Sequence, residues 1–326
     1  MLKVKFVDYP KCDVIDITLN ILKEEFGEVQ VCDDPDFLFY SVFGHEHLKY
    51  DCVRIFWTGE NIQPDFNICD YAIGFSNIIF EDRYKRVPLY YFYLEDYKKA
   101  KRKHLLTSED LEKKTKFCNF IYSNGAASNE REEFFDLLNS YKIVDSGGKF
   151  RNNIGGPVKD KYEFQKEYKF SIAFENSTTI GYTTEKILQA FSAGTIPIYW
   201  GNPEVGKEFN EKAFINCHNY KDFSEVVELI KEIDSNDKIF KSYLQESIGN
   251  ELQCPEDGLK EYRDYIIYIC RQNPKDAIRR SNILRGQWYQ EDMRNAFYPP
   301  QSKNTKNIYR KIKKILFILR KKFKNI

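Results

Sequence analysis

The chain has 326 residues, of which 42 % are hydrophobic and 16 % aromatic, and its formal net charge is +1. This composition excludes a disordered chain, and no apolar run approaches the roughly 18 residues that a membrane-spanning helix needs. Single cores usually stop growing below about 250 to 300 residues, so a chain of this length is expected to form two lobes with a cleft between them.

The near-neutral charge conceals an asymmetry along the chain. After position 293 the sequence has eleven lysine and arginine residues and no acidic residue, so the preceding body is net acidic. A basic tail on an acidic body predicts an anionic surface as the partner of the tail alone, and it disfavours a body that binds nucleic acid.

The cysteines and the first residues indicate the compartment. Eight cysteines are scattered without a CxxC pair, which predicts neither a zinc site nor a disulfide framework. The opening segment lacks the charged, apolar and small-residue zones of a signal peptide. We therefore expect reduced thiols in a cytoplasmic protein.

Four strand-like runs, separated by polar or helix-like segments, open the chain. They cover residues 3–9, 36–43, 52–57 and 70–75. This alternation predicts an α/β layer with a largely parallel sheet. The aromatic segment 87–97 is ambiguous, and the charged segment 98–116 reads as a surface helix or loop.

A second strand-like run over residues 116–122 restarts the pattern. The segment 128–141 predicts a helix, with Ser128 as candidate N-cap and aromatic and leucine residues on one side. We place the junction between the two lobes just after this helix, near residues 141–150.

The periodicity is clearest from residue 168 onward. A strand over 168–174, a helix in TTEKILQAFSA, Gly194 as the residue after that helix and a strand over 195–200 fit a right-handed βαβ unit. A strand over 213–218 and a helix over 222–234 follow. The second lobe is therefore also predicted to be an open α/β sheet.

The segment 175–186 (ENSTTIGYTTEK) lies where ligands collect in open α/β sheets, beyond the carboxyl end of a strand and at the start of a helix. Gly181 allows close backbone approach, Thr183 can cap the helix, and Lys186 adds a positive charge to free N–H groups, which suits a diphosphate. Glu185 suits a ribose or sugar hydroxyl. The alternative is an ordinary helix start, because acidic residues are common in a first turn.

Arg151 is a second candidate cation, in the glycine-rich segment SGGKFRNNIGG (146–156). Alone it reads as a solvated loop arginine. Paired with Lys186, it would supply the two positive groups that stabilise a departing nucleoside diphosphate without a metal. The chain has no DxD triplet to hold a divalent ion, which favours that arrangement.

Glu60 follows an apolar strand and a Thr-Gly turn in RIFWTGEN (54–61). A carboxylate at this place would face the cleft and could take a proton from an attacking hydroxyl; the alternative is an exposed turn residue. His45 and His47 have an HxH spacing but no third ligand at a recognisable distance along the chain. We therefore expect loop histidines near the cleft mouth and no metal site.

Several of these segments together resemble one family. The α-1,3/1,4-fucosyltransferases of glycosyltransferase family 10, especially the bacterial members, have the same motifs in the same order, and the resemblance extends over about residues 50 to 235. Its motifs here are FWTGEN (56–61), DYAIGF and DRYKRVPLYY (within 70–91), GGKFRNNIGG (147–156), KFSIAFENS (169–177) and GYTTEKILQAFSAGTIPIYWG (181–201).

The resemblance implies a GT-B architecture, in which two Rossmann-like α/β domains face each other across a cleft. We accordingly expect an acceptor-binding domain over residues 1–145, a GDP-fucose-binding domain over 146–300 and a basic amphipathic tail helix over 301–326. It also implies inverting transfer of L-fucose from GDP-β-L-fucose to O3 or O4 of N-acetylglucosamine in a lactosamine-type glycan, the chemistry of Lewis antigens and of lipopolysaccharide decoration.

The family motifs also imply roles for individual residues. Glu60 matches the proposed general base, and Arg151 and Lys186 match the cations that hold the diphosphate. Glu185 matches a position that holds a hydroxyl or steadies the oxocarbenium-like transition state. The positions that match donor-contacting residues of the signature are Asn176, Tyr182 and Glu185. No obligatory cofactor is implied beyond the GDP-fucose donor, and Mn²⁺ stimulation is left open.

The tail segment 307–326 has apolar residues on one helical face and basic residues over most of the remainder. Such a helix is suited to lie in an anionic membrane interface without crossing it, which predicts peripheral attachment to the inner face of the membrane. The alternative is a helix that packs on the body or is disordered in solution. The apolar positions are Ile308, Ile312, Ile315, Leu316, Leu319, Phe323 and Ile326.

Two other functions are compatible with the residues. One is a GT-B transferase that uses another nucleotide sugar. The other is a protein that binds a nucleotide sugar without turnover, which would have no need of Glu60.

Overall fold

The computed structural model describes residues 1–102, 106–249 and 254–299, and within these ranges the chain forms two parallel sheets. The first sheet follows the predicted alternation of strands and helical segments. Two of its strands, Val29–Val31 and Tyr84–Arg86, are too short to have been predicted. The elements are β1 (Leu2–Val7), α1 (Val14–Phe26), β2 (Val29–Val31), β3 (Phe37–Tyr40), β4 (Val53–Trp57), β5 (Tyr71–Gly74) and β6 (Tyr84–Arg86).

The strand order of the first sheet is β2-β1-β3-β4-β5-β6, and every pair is parallel. Strands β3 and β4, with sequences FLFY and VRIFW, are buried along their whole length, as expected of parallel strands covered on both faces. The carboxyl end of β4 leads into the loop that contains Glu60.

The ambiguous aromatic segment resolves into a 3-10 turn over Leu89–Phe92 followed by a helix. Two helices then lead to the second lobe, whose strands and helices alternate as predicted. These elements are α2 (Leu94–Lys101), α3 (Ser108–Glu112), β7 (Lys116–Phe120), α4 (Glu130–Tyr141), β8 (Val144–Ser146), α5 (Lys161–Gln165), β9 (Tyr168–Phe174), α6 (Glu185–Ser192), β10 (Ile196–Trp200), β11 (Ile215–Asn216), α7 (Phe223–Ser235) and α8 (Asp237–Gln245).

The second sheet has the order β11-β10-β9-β7-β8 and is parallel throughout. The second lobe therefore includes β7, α4 and β8, which the sequence prediction assigned to the first domain. The predicted boundary at 145/146 is wrong because it falls inside β8; the change of sheet occurs between α2 and β7. Short strands do not reveal from sequence which sheet they pair with, since pairing is non-local.

The chain then returns to the first lobe through two further helices, α9 (Pro255–Arg271) and α10 (Leu284–Phe297). Tyr262, Ile266 and Ile269 of α9 lie in one buried cluster with α1 and the first sheet. The assignment of residues 254–299 to the second domain is therefore also wrong. The predicted tail helix over 301–326 lies outside the described residues.

Helix α6 joins the two lobes. Its residues Ile187, Leu188 and Phe191 are fully buried in the same cluster as Tyr90 of the 3-10 turn and Ala100 of α2. Burying an aliphatic or aromatic side chain of this size contributes about 1.5–3 kcal/mol. The helix that begins with Glu185 and Lys186 is therefore held from both lobes.

Candidate active site

Two adjoining cavities lie where the carboxyl ends of both sheets meet. The first, here termed the inner pocket, has a volume of about 240 Å³ and is lined by residues that include Asn124, Arg131, Lys161, Asn176, Glu185 and Lys186. The second, here termed the outer cavity, has a volume of about 480 Å³ and is lined by residues that include Phe43, Glu60, Asn61, Asn176, Ser177 and Tyr182. Asn124 and Asn176 line both, so the two spaces are neighbours.

The start of α6 is built differently from the prediction. Its N-cap is Thr184, which makes no side-chain cap, and the hydroxyl of Thr183 instead accepts a hydrogen bond from Asn202 at 3.0 Å. The carboxylate of Glu175 provides the cap, because its Oε1 accepts from the backbone N of Thr184 at 2.8 Å. An anion at a helix N-terminus is stabilised by the free N–H groups and the helix dipole.

Lys186 points back to the same carboxylate. Its Nζ lies 3.0 Å from Oε2 of Glu175 and 3.7 Å from Oε1 of Glu185, and it donates to the hydroxyl of Thr184 at 2.9 Å. Burial opposes the charged form of Lys186, but the attraction of Glu175 and Glu185 outweighs it and raises the pKa above its ordinary value. The inner pocket therefore contains a fixed ammonium group.

Glu185 lies on the first turn of α6 and is partly exposed to the inner pocket. Burial raises the pKa of a carboxyl group, but the charges of Lys186 and Lys161 outweigh burial and hold the pKa of Glu185 below its usual range. An ionised carboxylate accepts hydrogen bonds, which is the property that the predicted contact with ribose or sugar hydroxyls requires.

Arg131 is a site residue that the sequence reasoning missed. It lies on the apolar side of α4 with Phe134, Phe135 and Leu138 and is 1 % exposed. Its guanidinium lies 4.1 Å from the ring centroid of Tyr122, and its Nη2 donates to Oδ1 of Asn176 at 2.6 Å. The sequence signal that could have indicated Arg131 is an arginine on the apolar face of a predicted amphipathic helix. An unpaired charge is costly there, so a buried partner is expected.

Lys161 is the second residue that sequence reasoning missed. It begins α5, lines the inner pocket and donates to Oε1 of Gln189 at 2.6 Å. Burial lowers its pKa, and the nearby Glu185 acts in the opposite direction. No sequence signal distinguishes it from the surface lysines around it.

Glu60 and Tyr182 both line the outer cavity. Glu60 is partly exposed, and its backbone N donates to the hydroxyl of Thr58 at 2.9 Å, which fixes the turn. Tyr182 is 2 % exposed and packs edge-on against Phe75 at a centroid distance of 5.0 Å. Burial, and then the charge of Glu175, raises the pKa of Tyr182 well above its ordinary value.

Arg151 does not join Lys186 in this structure. Its guanidinium forms an ion pair with Asp136 and lies 3.5 Å from Glu132, both on the outer face of α4, and 4.7 Å from the ring centroid of Phe135. It is not among the residues that line the inner pocket. The predicted pair of cations is therefore not assembled, and Lys186, Arg131 and Lys161 are the basic residues of that pocket.

The two histidines are not paired as metal ligands, and their rings pack against different partners. Nδ1 of His47 lies 2.7 Å from Oδ2 of Asp8 and its ring stacks on Tyr40, whereas the ring of His45 stacks on Phe297. Among the described residues, no group of three or more histidine, cysteine or acidic side chains could hold a metal ion. In the same ranges no helix is both long and apolar enough to span a membrane.

Two family models match the chain. The model of the α-(1,3)-fucosyltransferase FucT N-terminal domain matches residues 4–93, and that of the glycosyltransferase family 10 (fucosyltransferase) C-terminal region matches residues 111–271. The chain therefore has the architecture of a two-lobed glycosyltransferase of the GT-B type. It belongs to glycosyltransferase family 10, the fucosyltransferases.

Solved structures support the same assignment over nearly the whole fold. A crystal structure of an α1,3-fucosyltransferase is 30 % identical, with a TM-score of 0.71, over 87 % of this chain and 93 % of that one. A crystal structure of an α1,3-fucosyltransferase with GDP-fucose is 29 % identical, with a TM-score of 0.69, over 86 % of this chain and 93 % of that one.

A curated relative, the α-(1,3)-fucosyltransferase FucT of Helicobacter pylori, is 38 % identical over 72 % of this chain. The match covers 54 % of that protein, so the chain spans about half the length of this relative.

Proposed function

We propose that the chain is an α1,3-fucosyltransferase that transfers L-fucose from GDP-β-L-fucose to O3, or O4, of N-acetylglucosamine in a lactosamine-type glycan. The observation that carries the proposal is the position of Lys186 and Glu185 on the first turn of α6, within the family's 181–201 signature, next to the cavity that contains Glu60. GDP-fucose is the donor named for the solved relative.

The reaction separates into events on either side of the anomeric carbon. The acceptor hydroxyl gives its proton to Glu60 as its oxygen forms the new bond to C1 of fucose. On the opposite face the bond between C1 and the β-phosphate oxygen breaks, and GDP leaves with the electron pair. Attack from the face opposite to the leaving group converts the β-linked donor into an α-linked product.

The leaving diphosphate gains negative charge, which Lys186 is suited to stabilise because its pKa is raised and it is protonated at neutral pH. In this proposal Arg151 leaves its exposed partners on α4 when donor binds and supplies the second charge. Glu185 accepts hydrogen bonds from sugar or ribose hydroxyls, and Asn176, between the two cavities, contacts the donor where both spaces meet.

A single variant separates catalysis from binding. General base catalysis contributes roughly 10²–10⁴-fold, so Glu60→Gln is expected to reduce fucose transfer by that amount while GDP affinity, measured by calorimetry, stays near the wild-type value. Full activity in Glu60→Gln would remove Glu60 from the mechanism. Wild-type protein that binds GDP but transfers no sugar would favour the binding-only alternative.

The donor and acceptor are tested with panels. GDP-fucose is compared with other nucleotide sugars, and Lewis-type disaccharides and lactosamine are offered as acceptors, with the linkage read by NMR. Transfer from another nucleotide sugar but not from GDP-fucose would support the alternative GT-B transferase. The expectation that Mn²⁺ is at most a stimulant is tested by assay in EDTA, where activity should persist.

We also propose that the basic tail attaches the protein to the inner face of the membrane. The support is the sequence pattern alone: an apolar helical face with basic residues around it, on a body that is net acidic. Attachment would bring the site to lipid-linked glycan precursors.

Deletion of residues 303–326 tests the membrane proposal. The deleted protein should no longer sediment with vesicles that contain anionic lipid, because both the apolar face and the charges are lost, while transfer to soluble acceptors should persist. Neutral vesicles are the control. Undiminished sedimentation of the deleted protein with anionic vesicles would exclude the tail as the anchor.

A further inference from the structure

One side chain of the first lobe reaches across the outer cavity to the second lobe. Nδ2 of Asn61 donates to the hydroxyl of Ser177 at 2.6 Å and to the hydroxyl of Thr179 at 2.9 Å. Asn61 follows β4 in the first sheet, and both hydroxyls follow β9 in the second. These three residues are here termed the cross-cleft clasp.

The clasp joins two short segments that carry the proposed chemistry. Asn61 directly follows Glu60, and Ser177 directly follows Asn176. All four of these residues line the outer cavity. The clasp therefore ties the turn that contains Glu60 to the segment 175–186, here termed the donor loop.

Each side of the clasp is anchored in its own lobe. On the first-lobe side the backbone N of Glu60 donates to the hydroxyl of buried Thr58 at 2.9 Å. On the second-lobe side the hydroxyl of Thr178 donates to the carbonyl of Gly201 at 2.6 Å. Because the side-chain amide of Asn61 donates two hydrogen bonds between these anchored segments, it fixes the distance between them.

Other contacts between the lobes do not involve the clasp. The rings of Phe75 and Tyr182 pack at 5.0 Å, and a Cβ atom at Gly181 would lie 2.7 Å from the carbonyl oxygen of Phe75. Arg86 of the first lobe forms an ion pair with Glu208 of the second. Loss of the partly buried clasp should therefore move the two segments without separating the lobes.

We propose that Asn61 is a positioning residue, which sets the distance between Glu60 and the donor loop through Ser177 and Thr179. The inference rests on the proposed function, because it assigns Glu60 and the loop to opposite sides of one reaction. Catalysis requires reacting atoms to be held about 3–3.5 Å apart, and a displacement of about 1 Å can cost on the order of 100-fold in rate. The clasp would prevent such a displacement.

Asn61→Ala is the primary test, with Gln63→Ala as the matched control. Gln63 lies in the same loop, but its Oε1 accepts from Ser76 of the same lobe at 2.5 Å. Asn61→Ala should lower kcat by roughly 10- to 100-fold and leave GDP affinity near wild type, while the loss of its hydrogen bonds lowers the thermal midpoint by only about 2–4 °C. Gln63→Ala should leave kcat near wild type.

A mutant cycle that combines Asn61 with Ser177 and Thr179 distinguishes a role through the clasp from a direct contact of Asn61 with substrate. If the hydroxyls act through Asn61, adding Ser177→Ala and Thr179→Val to Asn61→Ala should lower kcat no further than Asn61→Ala alone. A multiplicative fall in kcat would overturn the proposal. So would a wild-type kcat in Asn61→Ala, or an equal fall in Gln63→Ala.

The test also separates this inference from the proposed function. Wild-type protein that transfers no fucose and binds no GDP would refute the proposed function, while the same cycle, measured as unfolding midpoints, still tests the clasp. Non-additive midpoint changes for Asn61→Ala and Ser177→Ala would support it. Additive changes would overturn it.

Discussion

Glu175 and Lys186 illustrate at the residue scale how a proposed binding group is held in place. Glu175 is 0 % exposed and contacts Thr184 as well as Lys186. The carboxylate caps α6 and also forms an ion pair with the lysine, whose ammonium group is thereby held at the wall of the inner pocket. A buried ion pair of this kind is costly to break from one side only.

We expect Lys186→Met to destabilise the protein by about 3–5 kcal/mol, because it leaves the carboxylate of Glu175 buried and unpaired. The double variant Lys186→Met/Glu175→Gln should recover much of that loss, since that ion pair leaves no buried charge behind. It should stay inactive, because the proposed mechanism requires the cation of Lys186 at the diphosphate. Denaturant unfolding and transfer rates are the measurements.

Lys207→Met is the control for this pair, because Lys207 forms an exposed ion pair with Glu204 at 2.8 Å that should contribute little. A double variant as unstable as Lys186→Met would contradict the argument.

Arg151 gives a second prediction at this scale. Its partners Glu132 and Asp136 are at least half exposed, and such surface pairs contribute about 0–1 kcal/mol, so a diphosphate can replace them at little cost. Arg151→Ala should therefore change the thermal midpoint little but weaken GDP-fucose binding about tenfold, as for the loss of one charged hydrogen bond.

Calorimetry of GDP-fucose binding measures the effect of Arg151→Ala, and Asp136→Asn, which frees the arginine, is its control. Unchanged affinity and turnover in Arg151→Ala would show that Arg151 is a solvated loop arginine, which was the alternative interpretation of its sequence context.

The residues that sequence reasoning located are those within compact motifs. Lys186, Glu185 and Asn176 lie in one segment at a strand end, where position alone indicates a ligand. Arg131 and Glu175 escaped because their importance depends on partners in space: Arg131 bonds to Asn176, 45 positions away, and Glu175 caps a helix that begins ten residues later. Neither separation leaves a pattern in one sequence.

Helix α6 is fixed at its far end by a buried lysine. Nζ of Lys114 donates to the carbonyl oxygens of Lys166 and Ala193 at 3.2 Å and lies 3.5 Å from that of Tyr168. Ala193 is the C-cap of α6, and Gly194 follows with a φ of 67°, as predicted for the residue after the helix. A cation at this end also complements the helix dipole.

Lys114 predicts a pH dependence of stability. Burial lowers the pKa of Lys114 to about 8 from its ordinary value of 10.5. Between these pH values the unfolded chain binds more protons than the folded chain, so the free energy of unfolding should rise with pH. Over this pH range the free energy of unfolding of the wild type should rise, relative to that of Lys114→Met, by on the order of 3 kcal/mol at most.

The measurement is denaturant unfolding at several pH values between 8 and 10.5. Lys113→Met, which removes an exposed neighbouring lysine, should show no such trend relative to the wild type. Parallel curves for the wild type and Lys114→Met would refute the effect.

At the element scale the longer strands and helices followed from periodicity, because β4, β9 and α7 have enough residues for their pattern to be read. The helix at 128–141 was also located, although its N-cap is Asn129, without a side-chain cap bond, and not Ser128. The short strands β2, β6 and β8 were missed because three residues do not establish an alternation.

At the scale of the whole molecule, one large buried cluster spans both lobes, and each lobe also has a cluster of its own. The shared cluster includes strands of the first sheet, α6, Tyr199 of β10 and residues of α9. Lobes that share a core cannot lose their packing independently, unlike domains connected only by a flexible linker. The same continuity explains why a boundary could not be read from composition.

We therefore expect one cooperative unfolding transition. Scanning calorimetry should give a calorimetric enthalpy close to the van't Hoff enthalpy, and GDP should move the whole transition upward by mass action. The comparison is a protein of similar size whose two domains are joined only by a flexible linker, measured without ligand. Two resolved transitions, with only one shifted by GDP, would contradict a shared core.

The return of α9 to the first lobe has a practical consequence for dissecting the protein. Tyr262 of α9 shares a 2.6 Å hydrogen bond with the hydroxyl of Thr18 in α1, a partner 244 positions away. A fragment that stops before β7 would leave that face of α1 uncovered, and one that starts there would carry an orphaned α9. No single cut of the chain yields two self-sufficient pieces, so half-molecules and lobe exchanges between relatives require two splice points.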